Sequence, residues 1–208
     1  MLRKNNKILY PTPYTNARLG YGYFRANPQR QTAFVYFKGY SYEVLDFKRQ
    51  CFGSDIIIAM NREKHFNKIT NKEIEYVSYR FTTPSKKVNY RCLHKPIKDV
   101  CASATAGDVL LLLRDRRRKT NPRELAFSYK CFTQTDVECI QALLSKHGLA
   151  AHLDIESIHN VQLDYTTTTF VLKLKDSAYT LDTFVHNTLE SLNVLTEDTR
   201  KIFSFYPS

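Results

Sequence analysis

Val109 to Lys119 reads V-L-L-L-L-R-D-R-R-R-K, an apolar run that turns into a basic cluster around one acid, Asp115. Ser103 or Thr105 stands where it can cap a helix running to about Arg114. Leu110 to Leu113 are apolar on every side of that helix, so the spacing predicts burial all round. Arg114, Arg116, Arg117, Arg118 and Lys119 then emerge together, and packing so many like charges calls for an anion.

Downstream, Leu125 to Phe132 reads as a strand, and Thr133 with Asp136 three residues on forms a capping box for a helix through Val137, Ile140, Leu143 and Leu144 to Gly148. His152–Glu156 and Leu163–Lys175 read as strands, the second with Phe170, Leu172 and Leu174 on one face and Val171, Lys173 and Lys175 on the other. Ser177 opens an amphipathic helix through Leu181, Val185 and Leu189. The tail K-I-F-S-F-Y-P-S from Lys201 is apolar and aromatic, suited to packing on the core or on a partner.

Upstream the order is similar. Tyr14–Leu19 leaves room for a short helix before Gly20-Tyr21-Gly22, and Thr32–Phe37 is a strand. Ser41 caps a helix with Val44, Leu45, Phe47, Lys48 and Cys51 that stops at Gly53. Ile56–Met60 reads as a short strand, Asn61–Lys72 as a polar loop or hairpin tip, Ile74–Thr82 as a half-buried strand, and Lys86–Pro96 as irregular or a short helix.

The two series share one offset. Gly53 and Gly148 are 95 apart (148 less 53), as are Phe37 and Phe132 and Leu45 and Ile140, so the strand-helix units superpose without a gap. The same shift carries Leu19-Gly20-Tyr21-Gly22 onto Arg114-Asp115-Arg116-Arg117.

Charge narrows the partner. Lys and Arg number 31 against 20 Asp and Glu among 208 residues, a net +11, which favours nucleic acid first and an anionic membrane second. No acid precedes Glu43, whereas Arg3, Lys4, Lys7, Arg18, Arg25, Arg30 and Lys38 do. The first residues suit either an organellar transit peptide or an extended basic arm. No run approaches the ~18 apolar residues of a membrane span. Five cysteines without a C-x-x-C argue against a disulfide framework or zinc ribbon and for reduced, mostly buried thiols. His94, between Cys92 and Cys101, lacks a fourth ligand to close a metal site.

The repeat, with L-G-Y-G at Leu19, L-L-L-R-D-R-R-R-K at Leu111, F-S-Y-K-C-F-T-Q-T-D-V-E-C-I-Q-A-L-L at Phe127 and Y-R-F at Tyr79, resembles the LAGLIDADG homing endonucleases and intron maturases in their two-motif, single-chain form. The resemblance spans roughly Arg18–Leu195. It implies an α+β fold: a pseudo-twofold pair of αββαββα units whose curved antiparallel sheets form a nucleic-acid-binding saddle. The divisions expected are an arm over 1–13, halves over 14–100 and 101–195, and a tail over 196–208. In that family the motif helices pack side by side, and the last acid of each holds divalent metal, which clamps the oxygens of in-line phosphodiester cleavage.

Carried across, the acid positions are Tyr21 and Arg116. A phenol and a fixed guanidinium cannot replace carboxylates, and two like charges at ~4 Å repel by roughly 4 kcal/mol at an effective dielectric of 20. A slip of one residue brings Asp115 to the second position, but the first half has no acid before Glu43. Of the family glycines that let the helices approach, Gly22 remains and Arg117 replaces its counterpart.

The expectation is a protein with no metal, no cofactor and no catalytic residue that binds RNA, in its most concrete form rRNA of a mitochondrial ribosome in the matrix, beside neighbouring ribosomal proteins and as a pseudo-symmetric monomer. The contacts would be Arg3, Lys4, Lys7, Arg25, Arg30, Lys38, Arg80, Arg114, Arg116, Arg117, Arg118, Lys119, Lys130, Lys173 and Lys175, with Tyr36 or Tyr79 stacking on bases. The alternatives are a maturase on intron RNA, a divergent endonuclease cutting DNA with another acid, and an interaction protein docking through its aromatic tail.

Overall fold

The computed structural model describes residues 10–27, 29, 32–52, 56–67, 70–84, 86–87, 95–160 and 165–205. The described residues form seven helices and two antiparallel sheets, an α+β fold in two compact units.

In the Thr12–His94 unit, Pro13 opens helix α1 (Pro13–Leu19), where its missing N–H goes unneeded, and the Thr12 side chain accepts a hydrogen bond from the Thr15 N–H at 3.1 Å. Strands β1 (Tyr23–Asn27) and β2 (Thr32–Gly39) follow, then α2 (Tyr42–Phe52), β3 (Ala59–Asn67), β4 (Lys72–Thr82) and the short β5 (Lys86–Lys87). The sheet order is β1-β2-β4-β3, with β5 also on β2. Along β2, Ala33, Val35 and Phe37 are buried, and Val35 and Phe37 pack with Leu45 and Phe81 into a core, while Phe34, Tyr36 and Lys38 point to the open face. Gly22 is sterically required within this unit: a Cβ there would stand 2.8 Å from Phe37 Cε1 and 2.9 Å from Ala17 Cβ.

The second unit comprises Lys95–Ser208 together with Met1–Pro11, and the Tyr10 hydroxyl donates to the Leu192 carbonyl at 2.8 Å. It contains α3 (Ile97–Ser103), α4 (Ala106–Arg116), β6 (Glu124–Ser128), α5 (Gln134–Lys146), β7 (Ala151–Asn160), β8 (Tyr165–Leu174), α6 (Ala178–Ser191) and α7 (Glu197–Phe203). Thr105 with Asp108 and Thr133 with Asp136 are reciprocal capping boxes. Gly148, at φ 77°, follows α5 where only glycine turns without strain. Leu110, Leu111 and Leu112 are 0% exposed, and α4 packs on β6, α6 and α7. The sheet order is β6-β8-β7, with Leu125, Phe127, Phe170 and Leu172 buried on the helix side.

Several expectations change. Asn61–Asn67 is strand, paired residue by residue with β4, and Thr70 and Asn71 turn before β4, Asn71 at φ 53°. Polarity hid it because both faces of this hairpin are largely solvated. Helix α3 was not read from its short Ile97, Val100, Cys101 stripe, and the expected boundary at 100/101 falls inside it. The second unit lacks a full first strand: a single bridge, Arg117 to Leu125, takes the place that β1 has in the first, so αββαββα is complete in neither unit among the described residues. Residues 10–13 belong to folded structure rather than an arm, and the tail forms α7 with Phe203 and Phe205 buried. Gly53, Cys92, His94 and residues 206–208 lie outside the described residues.

Leu111→Ala is expected to cost about 2–5 kcal/mol through loss of a fully buried side chain. Gly22→Ala is expected to cost about 1–3 kcal/mol by overpacking against Phe37 and Ala17. Urea unfolding midpoints check both; wild-type midpoints would refute the packing described.

Candidate nucleic-acid interface

The end of α4 collects its arginines for a local reason first. Cations in a last helical turn complement the partial negative charge of the free carbonyls there. The Arg116 guanidinium lies 5.5 Å from the Phe127 ring centroid and 4.8 Å from that of Phe132. Arg117 donates to the carbonyls of Ser204 at 3.0 Å and Ile202 at 3.1 Å, and burial, with the charge of Arg114 adding, pushes its pKa down to about 10. Arg118 forks onto Glu156 at 3.1 and 2.6 Å and reaches Glu124 at 3.1 Å. Burial also lowers the pKa of Arg114, opposed by Asp115 beside it. The expected need for an outside anion is therefore corrected for Arg116, Arg117 and Arg118, whose partners are rings, carbonyls and carboxylates of the same unit. Lys119 is exposed.

The open face of the β6-β8-β7 sheet carries Glu124, Asp154 and Glu156 against Arg118, Lys173 and His152. Lys173 holds Asp154 at 2.6 Å, and His152 lies 3.1 Å from the same carboxylate. A side-chain hydrogen bond from Lys173 lowers the Asp154 pKa, and one from Arg118 lowers that of Glu156. Lys173 is thus engaged by an acid, and this face is an ion-pair ladder rather than a basic surface. Lys130, in the turn after β6, and Lys175, just past β8, are exposed.

The open face of the first unit has a different character. In register with Tyr36 on β2 is Tyr23 on β1, and Lys38 is in register with Arg80 on β4. The Tyr23 and Tyr36 rings are 6.4 Å apart, and the Arg25 guanidinium lies 5.4 Å from the Tyr36 centroid. Lys38 pairs with Glu63 at 2.7 Å, and the Ser78 hydroxyl also donates to Glu63. Tyr40 and Tyr76 meet edge to face at 5.4 Å. By strand parity Arg25, Lys38, Lys72 and Arg80 share this face with one carboxylate, Glu63. Tyr79, expected to stack, instead packs on the helix-side core against Tyr42. Tyr23, Tyr40 and Tyr76 were not singled out: β1 was not read as a strand, Tyr40 lies just past the end of β2, and Tyr76, inside a stretch that was read as a strand, is brought beside Tyr40 only by the strand register. Arg3, Lys4, Lys7 and Arg30 lie outside the described residues.

Tyr21 is 55% exposed in the turn after α1, and Asp115 is half-buried beside Arg114. Hard divalent cations take oxygen donors, so a phenol and a guanidinium already lying over two rings do not fit the metal that the resemblance implies. Among the described residues no three His, Cys, Asp or Glu side chains are grouped to hold an ion. Of the described cysteines, all free thiols, Cys51 and Cys101 are buried, burial pushing Cys101 up to about 12, Cys139 is half-buried and Cys131 is exposed.

No family model and no curated protein matches the chain. Among solved structures it is similar to the homing endonuclease I-WcaI bound to its DNA recognition sequence, with 13% identity and a TM-score of 0.58 over 96% of this chain and 87% of that one. At this identity the likeness is one of fold.

Arg118→Ala is expected to destabilise the Lys95–Ser208 unit by about 1–2 kcal/mol at neutral pH, leaving Glu124 and Glu156 without their shared partner. Because Glu156 titrates below its ordinary value when folded, its contribution is fully present above the unfolded pKa of ~4.3 and fades as pH falls toward the lowered one. The variant should therefore lose less stability than wild type on acidification below about pH 4.3. Parallel urea titrations at pH 7 and pH 3 decide it: equal losses would contradict the ladder.

Proposed function

We propose that this chain, which has the fold of a LAGLIDADG-type homing endonuclease, is a nucleic-acid-binding protein that does not cleave, with RNA as its ligand. The observation that carries the reading is the open face of the β1-β2-β4-β3 sheet, where Arg25, Lys38, Lys72 and Arg80 stand among tyrosines with a single acid. Cations spread over a sheet contact phosphates and position the strand, and the net charge of +11 acts in the same direction at longer range. The absence of cleavage is supported by Tyr21 and Arg116 at the two motif positions. The most specific form of the proposal is a structural rRNA-binding component of a mitochondrial ribosome, a role that uses phosphate-binding surface and needs no hydrolysis.

Purified full-length protein is expected to retain RNA on a filter with an affinity that falls steeply with salt, and to leave supercoiled DNA intact with Mg²⁺ or Mn²⁺. Arg25→Ala with Arg80→Ala should reduce the log–log salt slope by about 0.7 for each single-strand phosphate that is no longer neutralised. Nicking of the DNA would establish an endonuclease instead. In a density gradient of organellar lysate, co-sedimentation with a ribosomal subunit supports the ribosomal form, and tracking with intron RNA supports a splicing role.

A further inference from the structure

We propose that the face of β1-β2-β4-β3 takes an unpaired RNA segment whose bases stack on two tyrosine pairs, and that the open face of the other unit takes no part. This inference rests on the nucleic-acid reading above and goes further by naming the state of the ligand and the half that binds it.

Tyr36 lies in β2 and Tyr40 one residue past its end at Gly39, with Lys38 between them. The phenols of both act on the charge of Lys38, in keeping with all three sharing one face. Each ring has a partner: Tyr23 beside Tyr36 and Tyr76 edge-on to Tyr40. The arrangement is thus two ring pairs with Lys38, paired with Glu63 at 2.7 Å, between them and Arg25 over one end. These rings are not core: Tyr23 and Tyr40 are each 65% exposed.

A duplex keeps its base faces stacked inside and presents phosphates and groove edges, so paired exposed rings have no base face to stack on there. Unpaired bases offer flat faces that stack on aromatic rings and on guanidinium planes, while neighbouring cations follow the backbone. The open face of β6-β8-β7 offers neither feature. Its strands carry Glu124, Asp154 and Glu156, its cations Arg118 and Lys173 are held by those acids, and its exposed ring is Tyr165 at the hairpin end. A phosphate arriving there would meet three carboxylates, whereas the face of Tyr36 and Tyr40 carries one, Glu63, on Lys38.

The test is fluorescence anisotropy of full-length protein with a labelled ten-nucleotide uridine-rich RNA and with an RNA duplex of ten base pairs. The single strand is expected to bind more tightly. Tyr40→Leu should weaken it by about 5- to 100-fold, with the salt slope unchanged and duplex affinity unaffected. Tyr40→Phe, which keeps the ring, should retain wild-type binding and guards against misfolding as the cause. Lys173→Ala should change neither affinity. Equal affinity for single strand and duplex with no effect of Tyr40→Leu would overturn the inference, as would weakening by Lys173→Ala comparable to that by Tyr40→Leu. Salt-dependent binding of duplex alone would overturn it and leave the broader reading standing. No binding of either RNA would remove both.

Discussion

The end of α4 governs the second unit. A helix with Leu110 to Leu113 buried on all sides cannot tilt to suit its neighbours, so its neighbours are fastened to its last turn. Arg116 lies over rings from β6 and the start of α5, Arg117 holds the carbonyls of Ile202 and Ser204 around the end of α7, and Arg118 ties β6 to β7 through Glu124 and Glu156. Three successive arginines make three separate attachments. What looks in sequence like one electrostatic patch is therefore a set of separate local attachments.

That division of labour shapes the charge distribution of the whole chain. In the second unit Arg116 and Arg117 bond internally, and Arg118 and Lys173 pair with the sheet acids. In the first unit Arg25, Lys38, Lys72 and Arg80 share an open sheet face with one acid, Glu63, which holds Lys38. A net charge of +11 is thus a poor guide to where a polyanion would sit, because a guanidinium already donating to two carbonyls contributes less to binding than an exposed one.

The architecture was largely legible where patterning and caps agreed. Thr133 with Asp136, Ser177 and the leucine run each announced a helix. The 95-residue offset, by contrast, is corrected: β2 and β6, α2 and α5, and β3 and β7 each begin 92 residues apart (124 less 32, 134 less 42, 151 less 59), so Phe132 lies past β6 while Phe37 is inside β2. Reading failed where burial does not impose a pattern. β3 is wetted on both faces and is specified by its ladder with β4, and α3 is too short for periodicity to stand out. For the site, parity along β2 located Tyr36 and Lys38 but misplaced Tyr79, since the register between strands is a tertiary fact. Sequence cannot distinguish a solvated arginine from one capped by carbonyls far along the chain, as Arg117 is by Ser204.

β3 lies at the end of its sheet, with nine residues of backbone along that border. Such a border is a template on which a second copy could polymerise. Arg62, Lys64 and His65 are exposed along it, beside the apolar Met60 and Phe66, so two copies approaching edge to edge would bring cations within a strand spacing of ~4.8 Å. The polarity that hid this hairpin from recognition is also what makes such edge-to-edge pairing costly.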